Sequence, residues 1–165
     1  MSLKTPVLHM LCGKIAAGKS TLAAELASEP DTVLLSEDDW LSTLFGDQMQ
    51  TIPDYVRCSA KLRQVMGPHV VQLLNAGLSV VLDFPANRID NRARMRGLLE
   101  QTKADNRLHV LTIPEDARRA RFNARNAQGD HPFSVTDEQY EAMSAYFQEP
   151  SEDEGFTLVQ HHATA

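Results

Sequence analysis

The chain has 165 residues, 42% apolar, 23% charged and 6% aromatic, with a formal charge of −6 at pH 7. That is the size and composition of one globular domain, which excludes collagen-like, mucin-like and disordered classes. No apolar run approaches the roughly 18 residues of a membrane-spanning helix, and the acidic balance speaks against a charge-driven nucleic-acid binder, which would be basic.

The opening MSLKTPVLHM lacks the layout of a signal peptide. Cys12 and Cys58 have no metal-ligand spacing and read as buried reduced thiols, so a cytoplasmic protein is expected. Pro6–Leu11 predicts a first strand, Lys19–Ala27 a helix, Thr32–Leu35 a second strand and Asp39–Phe45 one or two helical turns. Leu62, Val65, Met66, His69, Val70, Leu73 and Leu74 recur at helical spacing, with Gly77 as the stop and a kink or break expected at Gly67-Pro68. Ser79–Leu82 is continuously apolar, as a central parallel strand is. Arg88–Gln101 predicts a helix and Leu108–Ile113 a fourth strand. Pro114-Glu115-Asp116 opens another helix, with proline first and acids at its positive end. Thr136-Asp137-Glu138-Gln139 has the form of a capping box before a helix to about Phe147, and Phe156–Gln160 predicts a fifth strand. There is no internal repeat or linker. The alternation means βαβ units and a parallel sheet.

The first strand runs into Gly13-Lys14-Ile15-Ala16-Ala17-Gly18-Lys19-Ser20 and then helix, the P-loop pattern G-x4-GK[ST] in its strand–loop–helix setting. The glycines let backbone N–H groups turn inward, and these, with the helix N-terminus, cradle phosphate oxygens. The expected nucleotide-binding stretch is Gly13 through Thr21. In it Lys19 reaches the β- and γ-phosphates and the Ser20 hydroxyl is the Mg²⁺ ligand, while Lys14 reads equally well as a solvated loop residue. The fold expected is an α/β three-layer P-loop NTPase fold, about five mostly parallel strands with helices on both faces. It forms a single domain over residues 1–165 with a lid region at about 115–135.

A Ras-type GTPase needs a guanine-reading N-K-x-D, which is absent, and large AAA+ machines need more chain. An acid just after the second strand points instead to a kinase. In Ser36-Glu37-Asp38-Asp39-Trp40, Asp38 is the expected base that accepts the acceptor's proton; capping by Asp38 or Asp39 is the competing role. Asp83, ending the third strand, has the Walker B position and would hold Mg²⁺. Phe84, Pro85 and Asn87 are expected to shape the acceptor pocket. Arg118, Arg121 and Arg125 fall on one helix face; Arg121 and Arg125 are expected to close over the phosphates, and Arg119 to be solvated. Arg88, Arg92, Arg94 and Arg96 read mostly as a solvent-facing cluster. His9 and His109 read as packed, His131 as a loop residue, and His161 and His162 as lacking a metal partner.

Together these residues resemble the small P-loop kinases of the predicted-kinase type, which include the 5′-kinase domain of phage polynucleotide kinase, chloramphenicol phosphotransferase and the zeta toxins. The resemblance rests on Asp38-Asp39-Trp40 after the second strand, on Asp83 followed four residues later by Asn87, and on Pro114 seven residues before the Arg121-x3-Arg125 pair. It runs motif by motif from about Val7 to Met143. It implies ATP, Mg²⁺, phosphoryl transfer to a hydroxyl and Asp38 as the base. Glu37 and Leu41 stand where the polynucleotide enzyme has basic residues, so a small uncharged or modestly charged hydroxyl acceptor is expected rather than nucleic acid. Trp40, Phe45 and Tyr55 are candidate walls for it. Two other readings stand beside this one: a regulatory ATPase or switch acting on a protein partner, and a polynucleotide or nucleotide kinase.

Overall fold

Short apolar strands separated by helices can share a sheet only by crossing over it, and every strand pairing is parallel. In the computed structural model, which describes residues 4–128 and 136–162, the elements are β1 (Val7–Cys12), α1 (Lys19–Ala27), β2 (Thr32–Ser36), α2 (Glu37–Phe45), α3 (Ile52–Asn75), β3 (Ser79–Asp83), α4 (Ile89–Leu99), β4 (Asp105–Thr112), α5 (Glu115–Gln128), α6 (Asp137–Ala145) and β5 (Leu158–His162). The sheet order is β2-β3-β1-β4-β5. The C-terminal ends of β1, β2 and β3 therefore lie side by side, and Ser36 at the end of β2 is in register with Asp83 at the end of β3.

The side-chain alternation of β1 divides the layers. Leu8, Met10 and Cys12 join a core built with Leu62, Met66 and Val70 of α3 and Met95 and Leu99 of α4. Leu11, on the other face, packs with Val81 and with Ala23 of α1. Helices thus cover both faces, as the sequence predicted. Cys12 and Cys58 are buried free thiols, and burial pushes the Cys12 pKa up to about 11, which makes it inert.

Several expectations are corrected. α3 runs unbroken through Gly67-Pro68. The carbonyl that Pro68 leaves without its i→i−4 donor belongs to Gln64, and both residues are on the exposed face of the helix, where losing that bond costs least. Gly67 lets Leu98 of α4 come close: a Cβ there would lie 3.3 Å from Leu98 Cδ2. The helix starts at a Thr51–Asp54 capping box. β4 begins three residues earlier than predicted, because Asp105, Asn106 and Arg107 pair with β1 although they are polar. The arginines of α4 are not a solvated cluster. Arg92 is wholly buried, donating to Glu154 Oε1 at 2.7 Å and to Ala86 O at 2.9 Å. Arg96 donates to Glu154 O and lies over Phe156, and Arg88 lies over Tyr146. Arg94 is exposed as expected.

Three histidines form a ladder across β1, β4 and β5. His9 Nδ1 and His109 Nε2 are 2.9 Å apart, and His109 Nδ1 and His161 Nε2 are 2.8 Å apart. Each such contact needs one nitrogen with a proton and one without, which neutral imidazoles supply. Burial, followed by its two histidine neighbours, lowers the His109 pKa to about 4 from an ordinary 6.5, and burial also lowers that of His9. The unfolded chain therefore binds protons that the folded chain refuses, and stability is lost as pH falls below 6.5. We expect the His109 contribution to reach about 3 kcal/mol near pH 4. Urea denaturation between pH 7 and 4 measures it, and His109→Asn should lose less stability over that interval than the wild type.

Candidate functional site: a P-loop mouth with converging acids and arginines

The loop between β1 and α1 takes a form that only its glycines and small residues allow. Gly18 has φ 102°, and Ala16 also sits in the left-handed region at 65°. Gly13 packs so closely that a Cβ would lie 3.1 Å from Leu111 O. Its N–H donates to Asn87 Oδ1 at 2.9 Å, which ties the start of the loop to the segment after β3. Asn87 was expected in the acceptor pocket; instead it holds the P-loop. Lys19 Nζ donates to Gly13 O at 2.6 Å and to Lys14 O at 3.2 Å, so the ammonium lies within its own loop. Burial lowers its pKa to about 8, opposed by the nearby Cys12, Asp83 and Asp38 and assisted by Arg125. Asp38, Asp83 and Arg125 thus all lie close enough for their charges to act on this ammonium. Ser20 and Thr21 are exposed at the first turn of α1, and Lys14 is exposed beside the Phe147 ring.

Asp38 reaches this point because α2 starts directly after β2. The cap is Ser36, whose hydroxyl accepts from Asp39 N at 3.4 Å. Neither Asp38 nor Asp39 caps the helix. Ser36 and Asp83 are in register, which brings Asp83 and Asp38, the second residue of α2, to the same end of the sheet as Lys19.

The arginines of α5 separate by role. Arg118 is buried: it forks onto Glu115 at 2.6–2.7 Å and donates to Ile15 O at 3.2 Å and to Ser144 Oγ at 3.0 Å. It thereby fastens α5 and α6 to the P-loop. Arg121 lies against the loop, its Nη1 3.3 Å from where a Gly18 Cβ would be. Arg125 is half-buried near Asp38, and its buried Nε has no hydrogen-bond partner among the described residues. Arg119, expected to be solvated, instead lies over Tyr140 and pairs with Glu141 at 2.6 Å and with Asp137. The lid region beyond Gln128, including His131, lies outside the described residues.

Sequence reading missed Glu37 as a group with a role of its own. It is 2% exposed, accepts a hydrogen bond from the Tyr55 hydroxyl at Oε1, and leaves Oε2 buried without a hydrogen-bond partner among the described residues. Burial raises its pKa to about 7. In the sequence Glu37 is the first of three consecutive acids, and nothing local sets it apart from Asp38 and Asp39. Glu37 lines a cavity of about 180 Å³ between α3 and α4, together with Phe84 and Pro85. Of the aromatic candidates, Trp40 is exposed and Phe45 packs against the core; Tyr55 acts through Glu37. A second cavity of about 370 Å³ opens beside the P-loop between Ala17, Leu111, Ile113 and Gln160–His162.

The residues present fit a Mg²⁺–nucleotide pair. Ser20 and Asp83 offer the hard oxygen donors that Mg²⁺ takes, one or two from protein with the rest from phosphate and water. No group of three or more His, Cys, Asp or Glu among the described residues forms a metal cage.

The parallel five-stranded sheet and its P-loop define a small P-loop kinase-type domain. The chain belongs to the AAA_33 family of AAA domains, whose model matches residues 8–150. That match covers one P-loop domain; the expectation against a large AAA+ machine concerned chain length. Among solved structures, an inferred kinase from Chloroflexus aurantiacus superposes with a TM-score of 0.75 at 22% identity, over 98% of this chain and 87% of that one. The Pnkp1/Rnl/Hen1 RNA repair complex matches with a TM-score of 0.64 at 21% identity, over 88% of this chain and 45% of that one. The APS kinase CysC of Mycobacterium tuberculosis, in complex with AMPPNP and APS, matches at 0.60 and 17% identity, over 94% and 88%. These likenesses establish the fold. No curated protein is similar enough in sequence to match. No helix among the described residues is long and apolar enough to cross a membrane.

Asn87→Ala should leave the buried Gly13 N–H without its acceptor. We expect a loss of about 1–3 kcal/mol of unfolding free energy, measurable by chemical denaturation.

Proposed function

We propose that the chain is an ATP-dependent phosphotransferase that moves the γ-phosphoryl group of ATP to a hydroxyl of a small molecule. The observation that carries this reading is the convergence of Lys19, Asp38, Asp83 and Arg125 at the mouth of the P-loop. A switch needs the lysine and a metal-binding acid, but it has no use for a second carboxylate acting on the same lysine.

In this reading residues 13–21 hold the phosphates, with N–H groups of the loop turned inward and Lys19 supplying positive charge. Ser20 and Asp83 hold Mg²⁺, which when bound neutralises phosphate charge. Asp38 takes the proton of the acceptor hydroxyl as its oxygen bonds to phosphorus and the bond to the leaving ADP oxygen breaks. Arg121 and Arg125 stabilise the charge that develops on the transferring group. The domain spans residues 1–165, with a lid at about 115–135. The 370 Å³ cavity beside Ala17 is large enough for the base and lies on the loop side that faces β4 and β5.

The acceptor side favours a small molecule. Glu37 puts an acid next to the proposed base, and Leu41, where a polynucleotide kinase has an arginine, is fully buried. A polyanion finds no compensating charge at either position. The compartment proposed is the cytoplasm, on the two free cysteines.

Lys19→Ala should cut turnover by about 10²-fold or more, because one cation leaves the transferring phosphate, while thermal melting stays near that of the wild type. Near-normal turnover in the folded variant rules out the loop as the phosphate site. Asp38→Asn should reduce acceptor phosphorylation by roughly 10²- to 10⁴-fold with nucleotide binding little changed, and the cap on α2 should survive because Ser36 makes it. A coupled ADP-release assay with calorimetric nucleotide binding checks both; unaltered transfer by Asp38→Asn removes the base and moves the switch reading ahead.

A further inference from the structure

We propose that the cavity between α3 and α4 takes the acceptor, that this acceptor is a compact neutral diol with an apolar body, and that Glu37 selects it by accepting a hydrogen bond from its second hydroxyl. The proposal rests on the phosphotransfer reading above and names the substrate class of that site.

Three observations converge. The cavity walls are largely apolar, with Met66, Val70, Phe84, Met95 and Leu98 among them, and its volume is about 180 Å³. A dry protein cavity of about 150 Å³ holds benzene, so a six-membered ring with small substituents is the right scale. Glu37 also lines the cavity, 2% exposed, with Oε1 engaged by Tyr55 and Oε2 buried without a hydrogen-bond partner among the described residues. A carboxylate oxygen withdrawn from water and left unpaired is costly unless a donor arrives. Tyr55 is already spent on the other oxygen, and Arg63, though it lines the same cavity, makes no hydrogen bond to Oε2, so a ligand hydroxyl in the cavity can supply the donor.

The charges around the cavity decide what carries that donor. Arg63 and Arg94 line it with Glu37, and two guanidinium groups at one cavity disfavour an ammonium donor. Asp38 follows Glu37 in the chain, and Asp83 lies near enough to act on the Glu37 carboxyl, which disfavours an anionic body. A neutral hydroxyl satisfies both constraints. Glu37 and Asp38 leave the first turn of α2 in different directions, close enough for the Asp38 charge to act on the Glu37 carboxyl, so a molecule reaching from the cavity toward the P-loop can present one hydroxyl to each. The hydroxyl at Asp38 loses its proton to that carboxylate and gains the phosphoryl group as ADP leaves. The hydroxyl at Glu37 is unchanged.

The test uses cyclohexane-1,2-diol and cyclohexane-1,3-diol, with cyclohexanol and 2-aminocyclohexanol as matched controls. ADP release with ATP and Mg²⁺ gives kcat/KM, and calorimetry in the presence of a non-hydrolysable ATP analogue gives binding separately. We expect at least one diol to exceed cyclohexanol by about 100-fold or more in both, since a site built to bond a hydroxyl rejects analogues lacking it. Glu37→Leu should bring that ratio close to one, while Glu37→Gln, which keeps an accepting oxygen and the shape, retains part of it. A wild type that treats diols and cyclohexanol alike overturns the proposal. So does a ratio that survives in Glu37→Leu, a preference for 2-aminocyclohexanol, or no binding of either diol. If diol binding depends on Glu37 but no alcohol stimulates ADP release, the phosphotransfer reading fails and the selection of a diol by Glu37 stands.

Discussion

The ammonium of Lys19 lies against carbonyls of its own loop, at Gly13 and Lys14, in surroundings that lower its pKa to about 8. A cation held this way is stabilised by any anion that reaches it. The rest of the structure keeps that loop from relaxing. Asn87 takes the Gly13 N–H from one side, and Arg118 takes the Ile15 carbonyl from the other. Each tether comes from a different element, so the segment after β3 and the start of α5 are both committed to the shape of one loop.

That commitment explains why polar groups are buried where a hydrophobic core would be simpler. Arg118 joins Glu115, Ser144 and the P-loop, and Tyr140, tilted against Phe122, lies beneath it. Arg92 joins the Ala86 carbonyl to Glu154 across the segment that carries Asn87. Replacing such pairs by apolar residues is often neutral for stability. They would, however, no longer fix backbone atoms in place, and a site that acts through backbone N–H groups depends on backbone position.

The two faces of the site differ in chemistry. On the phosphate side, lysine, arginines and loop N–H groups supply positive potential. On the far side of Asp38 the wall becomes apolar, with Glu37 as a buried acid whose pKa of about 7 leaves it poised between charged and neutral forms. Asp38 sits at the boundary because the Ser36 cap starts α2 two residues before it.

Local residue chemistry was enough to read the strands, the P-loop, the helix starting at Lys19 and the capping box at Thr136, because each depends on neighbours within one turn or on the alternation of strand and helix. The unbroken α3 was not legible, since whether a proline breaks a helix depends on which face its missing hydrogen bond turns toward. Nor were the roles of Asn87, Arg92, Arg118 and Arg119. An arginine every three or four residues looks alike on a solvated face and on a packed one, and only contacts more than twenty residues away, from Glu154, Ile15 and Glu141, separate them. Glu37 is the clearest case. In sequence it is one acid among three, and what gives it a role of its own is burial, a property of the whole fold that turns one oxygen toward Tyr55 and leaves the other without a hydrogen-bond partner among the described residues.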